Sequence, residues 1–337
     1  MDRIHDTEPR ERWAHETELS RRGFLALGGG CAAHLLLSAA ARSPGERPLF
    51  ARTAGSRITS QEPWGRIEQV AEDAWALIST PLSGGENAMR TVSNGGIIAG
   101  RSGVLLVEGL GSPEGAAWMT EQTRELTGRD PTHVVLTHYH GDHSRGIARQ
   151  LEDITEVELF TTETTRARFA GSDRTVAVFE ALSGPNARLV EQDPVEIDLG
   201  GRRVRVTPRL GHTGSDLTVE LFDPPVVWCG DLVWNEMFPN YVDAIPSELS
   251  AAVRAVAGLP GPFVPGHGPM ADAARMGEFV TLIDDVEEHA RAAIDAGIPV
   301  SEAAAAYRPP GALGEWVRFS DRYYEVAFSA WERELGG

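Results

Sequence analysis

Lysine is absent from this chain of 337 residues, so all 31 basic side chains are arginine. Against them stand 49 acidic side chains, for a formal net charge of -18. Such a surface repels phosphate backbones, which excludes nucleic acid as a partner unless a local basic patch offsets the field. No such patch is visible: the clustered Arg202, Arg203 and Arg205 fall in an apparent hairpin and read as a solvated strand face. Cysteine is nearly absent too, with only Cys31 and Cys229. If Cys31 leaves with a leader, one thiol remains, and an intrachain disulfide framework is ruled out. Beyond the N-terminal region no run of eighteen or more apolar residues occurs, so the mature chain has no membrane span. The glycines at Gly84, Gly85, Gly95, Gly96, Gly100 and Gly103 lack phosphate-loop spacing and read as turns.

What is present begins with Ser20-Arg21-Arg22-Gly23-Phe24-Leu25, an apolar stretch to about Leu37, and the small residues Ala39-Ala40-Ala41. Charge, apolar segment and small-residue exit describe a signal peptide, and the paired arginines point to the twin-arginine route. Residues 1–41 are therefore expected to direct export to the periplasm or beyond. Gly28-Gly29-Gly30-Cys31 matches a lipoprotein box poorly, and the choice between cleavage and lipid anchoring stays open. Residues 42–63, rich in Pro, Gly, Ser and Arg, read as a linker.

From residue 64 to 270 the pattern is that of one α/β domain. Short β-type runs (Ala74–Ile78, Gly96–Ala99, Val104–Val107) alternate with glycine turns, and a helix capped by Ser112 starts at Pro113. Residues 271–337 read as a helical extension of that domain, with an amphipathic helix over Ala271–Ala296 and helical patterns over Ser301–Tyr307 and Trp316–Leu335. The aromatics of the last segment suit core packing or a homodimer face, with a substrate-shaping lid as the minority alternative.

The densest chemistry is Thr137-His138-Tyr139-His140-Gly141-Asp142-His143, directly after the apolar run Val134-Val135-Leu136. On the last extended residues, side chains two apart share a face, so His138 and His140 point the same way. Asp142 and His143 fall where the chain turns into a helix and can face a second point nearby. Imidazole and carboxylate are ligands for zinc and related divalent metals, and a catalytic site needs several of them converging with one position open. His133, at the strand's start, reads as structural.

H-x-H-x-D-H at a strand end resembles the signature of the metallo-β-lactamase-fold hydrolases. That resemblance implies a four-layer αββα sandwich, here with added C-terminal helices, and it implies the remaining ligands. His212, in Leu210-Gly211-His212-Thr213, fits the family's third histidine, and His267, in Pro265-Gly266-His267-Gly268, fits its last. Asp231, in Gly230-Asp231, fits the carboxylate that bridges two metals in dinuclear members. Glu108 stands where the family usually carries an aspartate that orients the histidine motif through hydrogen bonds; a solvated strand-end acid is the alternative. Cys229 is a rival ligand, with a buried inert thiol the preferred reading. Ser83 to Val92 is either a flap over the site or an ordinary loop.

By this resemblance His138, His140 and His212 form one pocket and Asp142, His143 and His267 a second, with Asp231 between. The implied cofactors are two divalent ions, zinc first, with iron or manganese as alternatives. The implied reaction is hydrolysis of a small-molecule ester, thioester, lactone or lactam by a metal-bridging hydroxide, with Asp142 orienting the nucleophile. The likeness is greatest to glyoxalase II-like hydrolases, including exported, quinoprotein-associated members. A mononuclear iron sulfur dioxygenase, a secreted metallo-β-lactamase and a non-catalytic periplasmic metal-binding protein are the alternatives. The sequence is silent on the acyl group, the physiological metal and the oligomeric state.

Overall fold

The computed structural model describes residues 56–80, 91–152, 154, 156–171 and 175–336. The expected leader, most of the expected linker and the flap candidate apart from Thr91 and Val92 lie outside the described residues.

The first sheet starts earlier than expected. β1 (Arg57–Glu62), inside the stretch read as linker, pairs antiparallel with β2 (Gly65–Ala71). Its sequence Arg-Ile-Thr-Ser-Gln-Glu is polar on both faces because the strand lies at a sheet edge, so no apolar alternation marks it. β3 (Ala74–Ser79), β4 (Gly95–Ala99) and β5 (Val104–Val107) continue antiparallel. The helix α1 (Pro113–Thr127) then crosses over to β6 (His133–Val135), parallel to β5. Ser112 caps α1 by accepting from the Gly115 amide, and Gly128, at φ 70, closes it by donating to the Arg124 carbonyl.

After two short helices, α2 (Gly141–Ser144) and α3 (Ile147–Glu152), come β7 (Glu158–Thr161), α4 (Glu163–Ala167), α5 (Val176–Ser183) and β8 (Ala187–Leu189). The first sheet runs β1 to β8 in chain order. The second contains β9 (Val195–Asp198), β10 (Arg203–Arg209), β11 (Asp216–Phe222), β12 (Pro225–Trp228) and β13 (Phe263–Val264), ordered 13-12-11-10-9. The Gly200-Gly201 turn joins β9 to β10, both glycines at positive φ, as a tight hairpin requires. On that hairpin Arg205 pairs with Glu196 at 3.0 Å on the exposed face, as expected of this arginine cluster.

Strand alternation sets the layers. Leu105 and Val107 point between the sheets with Val135, Val206, Val219 and Trp228, whereas Val104, Leu106, Val134 and Leu136 face the helix side with Trp118 and Met119. The outer face of the second sheet packs Val227 and Phe263 against α6 (Pro246–Ala257), α7 (Ala273–Asp295), α8 (Val300–Ala306) and α9 (Tyr323–Leu335). Helix, sheet, sheet, helix: this is the αββα sandwich with C-terminal helices. Each fully buried Leu, Val or Phe contributes roughly 1.5–3 kcal/mol, so the three apolar layers hold the frame on which the loops sit. At the inter-sheet seam Trp228 donates from Nε1 to the Gly95 carbonyl at 3.2 Å, and a Cβ at Gly96 would overlap that indole.

The expected last helix begins later than Trp316. Val317 pairs with the 236–238 segment through a Met237–Val317 bridge, residues 319–322 form bends and a turn, and α9 starts at Tyr323. Backbone pairing to a distant segment, invisible in local periodicity, overrides the helical pattern there. Among the described residues no helix is long and apolar enough to cross a membrane.

Candidate metal centre

The centre lies where both sheets end. β6 finishes at Val135, and the segment beyond it is held by two long-range bonds: Leu136 donates to the Phe160 carbonyl and Leu217 donates to the Thr137 carbonyl. The rings of His138 and His140 lie 4.9 Å apart, and α2 brings Asp142 and His143 in behind them, the His143 ring 4.2 Å from that of His138. His212 arrives on the turn between β10 and β11, Asp231 on the single 3-10 turn after β12, and His267 on the turn after β13. Gly230, at φ 53, makes the sharp departure from β12 that aims Asp231 inward.

These seven side chains meet. His140 Nδ1 stands 2.9 Å from His212 Nε2, which is 3.3 Å from Asp231 Oδ2. His138 Nε2 is 3.9 Å from the same oxygen. Asp231 Oδ1 points the other way, 3.0 Å from His143 Nε2 and 3.4 Å from His267 Nε2. Asp142 Oδ2 closes that side, 3.1 Å from His267 Nε2 and 3.8 Å from His143 Nε2. Ligand atoms about a tetrahedral ion at ~2.0–2.1 Å sit about 3.3 Å apart, so this spacing suits metal coordination.

Satisfaction of the buried polar atoms agrees. His138 Nε2, His143 Nε2, His267 Nε2 and Asp231 Oδ1 are buried with no hydrogen-bond partner. Buried polar atoms without partners are rare and costly, and four of them converging on one space call for an ion. Three groups of converging ligand atoms result: His138, His140, His212 with Asp231; Asp142, His143 with His267; and Glu108 with His138 and His143. The first two fit a divalent metal of the zinc, iron and manganese range, while in the third Glu108 also accepts from Thr137 Oγ1 and lies against His143 Nδ1, the contacts of an outer partner.

Electrostatics divides the ring. Burial works to raise Asp231, yet His267, His143 and His212 outweigh it and hold the carboxyl well below its ordinary range. Burial also opposes charge on His267, but Asp231 and Asp142 prevail and push it up to about 9. His143 is raised for the same reason, by Asp231, Glu108 and Asp142 against burial. His212 goes the other way, down to about 3, and His138 is likewise lowered, both chiefly by burial. The acids thus create a field for positive charge that protons on His143 and His267 satisfy when no metal is bound.

Outer contacts fix the rings. Thr137 Oγ1 donates to Glu108 Oε1 at 2.5 Å and accepts from His138 Nδ1 at 2.9 Å, which leaves His138 Nε2 for the centre. Glu108 Oε1 also lies 3.0 Å from His143 Nδ1. Glu108 itself has φ 77, a left-handed conformation held by its amide bond to the Val135 carbonyl. It is fully engaged at the strand end rather than solvated.

The superfamily model for "Metallo-beta-lactamase superfamily" matches residues 89–273, more than half of the chain. This chain belongs to the metallo-beta-lactamase superfamily. Among relatives within reach, the hydroxyacylglutathione hydrolase of Dechloromonas aromatica is 26% identical over 128 residues, covering 38% of this chain and 41% of that one. That of Xylella fastidiosa is 26% identical over 156 residues, 44% of this chain and 53% of its own. The chain spans about half the length of the curated relatives it matches. A stereoselective inverting sec-alkylsulfatase from Pseudomonas sp. superposes with TM-score 0.61 at 16% identity, over 80% of this chain and 50% of that one. A metallo-beta-lactamase from Pontibacter korlensis gives 0.54 at 18%, over 65% and 99%. Those likenesses show the metallo-beta-lactamase fold.

Within this superfamily frame Cys229 takes no part in the candidate ligand groups. Its thiol is buried among the helix-side apolar residues, donates to the Val227 carbonyl at 3.6 Å, and burial pushes it far above the usual thiol range. Three features escaped sequence reasoning. Asp243 Oδ2 accepts from Tyr139 Oη at 2.9 Å and stands 3.0 Å from His140 Nε2. Asp216 is buried beneath the His212 turn, against Thr213. Trp234 packs against His267 in a tilted pair with centroids 4.0 Å apart, and Phe319 meets the same ring edge-on at 5.5 Å. Only the acidic residue types of the first two could have drawn notice; no spacing linked them to the motif.

Proposed function

We propose that this protein is an exported, dinuclear, metal-dependent hydrolase acting on the carbonyl of an ester, thioester, lactone or lactam. The observation that carries the dinuclear reading is the carboxylate of Asp231, one oxygen turned to each ligand group. The hydrolase names of the sequence relatives support hydrolysis, and hydroxyacylglutathione hydrolases favour a thioester among the four. Export rests on the Arg21-Arg22 leader alone.

His138, His140 and His212 would hold one ion, Asp142, His143 and His267 the other, with Asp231 shared. When bound, two divalent ions would polarise a carbonyl oxygen and bring the pKa of water near 7, from 15.7 in bulk. The chain's own contribution is placement and hydrogen bonding. Asp142 is the more exposed of the two carboxylates, 27% against 3% for Asp231, so its side chain borders the open face while its Oδ2 stays against His267. There it can accept a hydrogen bond from an attacking water and so orient it, and His143 and His267, against burial, hold its carboxyl well below the ordinary range, so that it acts as an acceptor. Asp231 stays ionised throughout, because three imidazoles hold its pKa down. The backbone around Asp142 is fixed by Ser93 Oγ, which donates to its carbonyl at 2.7 Å.

A second reading, one iron in a sulfur dioxygenase, is favoured by the self-sufficient group of His138, His140, His212 and Asp231. It leaves the convergence of Asp142, His143 and His267 without a purpose. The deciding experiment reconstitutes the mature protein with zinc, iron or manganese and assays esters, thioesters, lactones, lactams and phosphodiesters. About two metals per chain with turnover of a carbonyl substrate is the expected result. One iron with oxygen consumption on a persulfide would overturn it, and full loading with no turnover would leave a metal-binding protein.

A further inference from the structure

We infer that Asp243 is the positioning residue that sets which nitrogen of His140 faces the metal centre. The inference rests on the metal reading of the site. His140 has two ring nitrogens, and Nδ1 is the one that stands 2.9 Å from His212 Nε2 inside the ligand group. Its Nε2 is directed outward, 3.0 Å from Asp243 Oδ2. An ionised carboxylate only accepts, so it selects the tautomer with hydrogen on Nε2 and frees the Nδ1 lone pair.

The carboxylate is itself held. Tyr139 Oη donates to the same Oδ2 at 2.9 Å, and Arg168 Nη2 approaches it at 3.7 Å while its guanidinium lies 4.6 Å over the Tyr139 ring. The loop is held as well. Ile245 donates to the Gly211 carbonyl at 2.9 Å, which ties Asp243 to the turn that presents His212. On its outer side Arg333 reaches the Val242 carbonyl at 3.4 Å, and Glu334 accepts from the Ser247 amide at 3.1 Å. Two ligands from separate sheets, His140 and His212, are thus registered against one loop, and the C-terminal helix α9 braces that loop.

Metal titration of the metal-free protein, followed by calorimetry and by cobalt absorption, tests this. In Asp243→Ala and Asp243→Asn, one of the two binding steps should weaken about ten- to hundredfold, the range usual for outer partners of a ligating histidine. The other step should stay within about twofold, and the cobalt spectrum of the weakened site should shift. Tyr139→Phe, which removes one hydroxyl, should move the same step by a smaller factor. Asp243 is a third exposed, so its replacement leaves the core intact, and a far-ultraviolet spectrum and melting curve confirm the fold. Two unchanged steps in Asp243→Ala, or equal weakening of both, would overturn the assignment. A wild-type chain that binds no metal would instead overturn the metal reading itself.

Discussion

Asp231 and His143 stand 3.0 Å apart, Oδ1 to Nε2, both buried and both without the alignment of a hydrogen bond. A carboxylate and an imidazole that close would ordinarily turn to bond. Here each is fixed by its own chain, His143 by the first turn of α2 and Asp231 by the turn after β12, so that both aim at a common point. Asp231→Ala should therefore reduce binding from two metals to one or none. Turnover should drop by about a thousandfold, equivalent to about 4 kcal/mol at the transition state. Elemental analysis beside kcat checks it; unchanged kcat with two metals retained would remove Asp231 from the site.

Metal uptake should release protons. His143 and His267 are raised above the ordinary histidine range, His267 to about 9, so both carry a proton at pH 7 in the metal-free chain. Each must give it up to offer Nε2 as a ligand. Zinc binding at pH 7 should thus release about two protons per chain, seen as a dependence of the binding heat on buffer ionisation enthalpy. Affinity should rise with pH and level off above about 9. Chelation should lower the melting temperature, since a metal at a hundred times its dissociation constant adds about 2.7 kcal/mol to the folded state. A melting curve indifferent to chelator would contradict this.

Much of the centre was legible because strand-end alternation places His138 and His140 on one face, whatever lies beyond. His212, Asp231 and His267 were legible only through their turn motifs, whose glycines are required by this chain's own backbone: Gly211 and Gly268 have positive φ, and a Cβ on Gly266 would strike Asp231. Asp243 was not legible. It lies about a hundred residues from His140, on a loop whose position depends on α9 and on the Ile245–Gly211 bond. The strand β1 was missed because an edge strand needs no apolar face, and the start of α9 because Val317 pairs with a distant segment instead of coiling. In each case a partner remote in sequence decided the conformation.

Asp216, beneath the turn that presents His212, offers a pH-dependent test. Burial raises its pKa to about 7, against the bonds from Thr213. The neutral acid fits its surroundings: Oδ2 accepts from the Thr213 amide at 3.0 Å, and Oδ1, 2.8 Å from Thr213 Oγ1, can donate to it while that hydroxyl donates to the Ser215 carbonyl. A folded-state pKa above the unfolded value of 3.8 contributes stability that is complete below about pH 4 and lost as pH rises through about 7. Asn reproduces the neutral acid's donor and acceptor. Asp216→Asn should therefore match the wild type near pH 4 and exceed it in melting temperature above pH 8. Parallel melting curves across that range would show that Asp216 stays ionised in the fold.

Gly266 is held to a single atom's tolerance. A Cβ there would overlap Asp231 Oδ1 and crowd the Gly230 carbonyl carbon, while the Gly266 amide donates to the Gly230 carbonyl at 2.7 Å. Gly266 has no left-handed φ, so Gly266→Ala changes space and not backbone preference. Neither backbone can move away cheaply, because β12 and β13 pair directly beneath through Val227 with Phe263 and Trp228 with Val264. The soft element is the Asp231 side chain, which must rotate off its shared position. Gly266→Ala should accordingly keep the fold, at a cost of about 1–3 kcal/mol for overpacking. It should lose the second metal much as Asp231→Ala does, whereas Gly277→Ala, at a glycine with open space around it, should change neither metal content nor turnover. Two metals and normal turnover in Gly266→Ala would mean that the Asp231 carboxylate can leave its place without loss, and would set aside its bridging role.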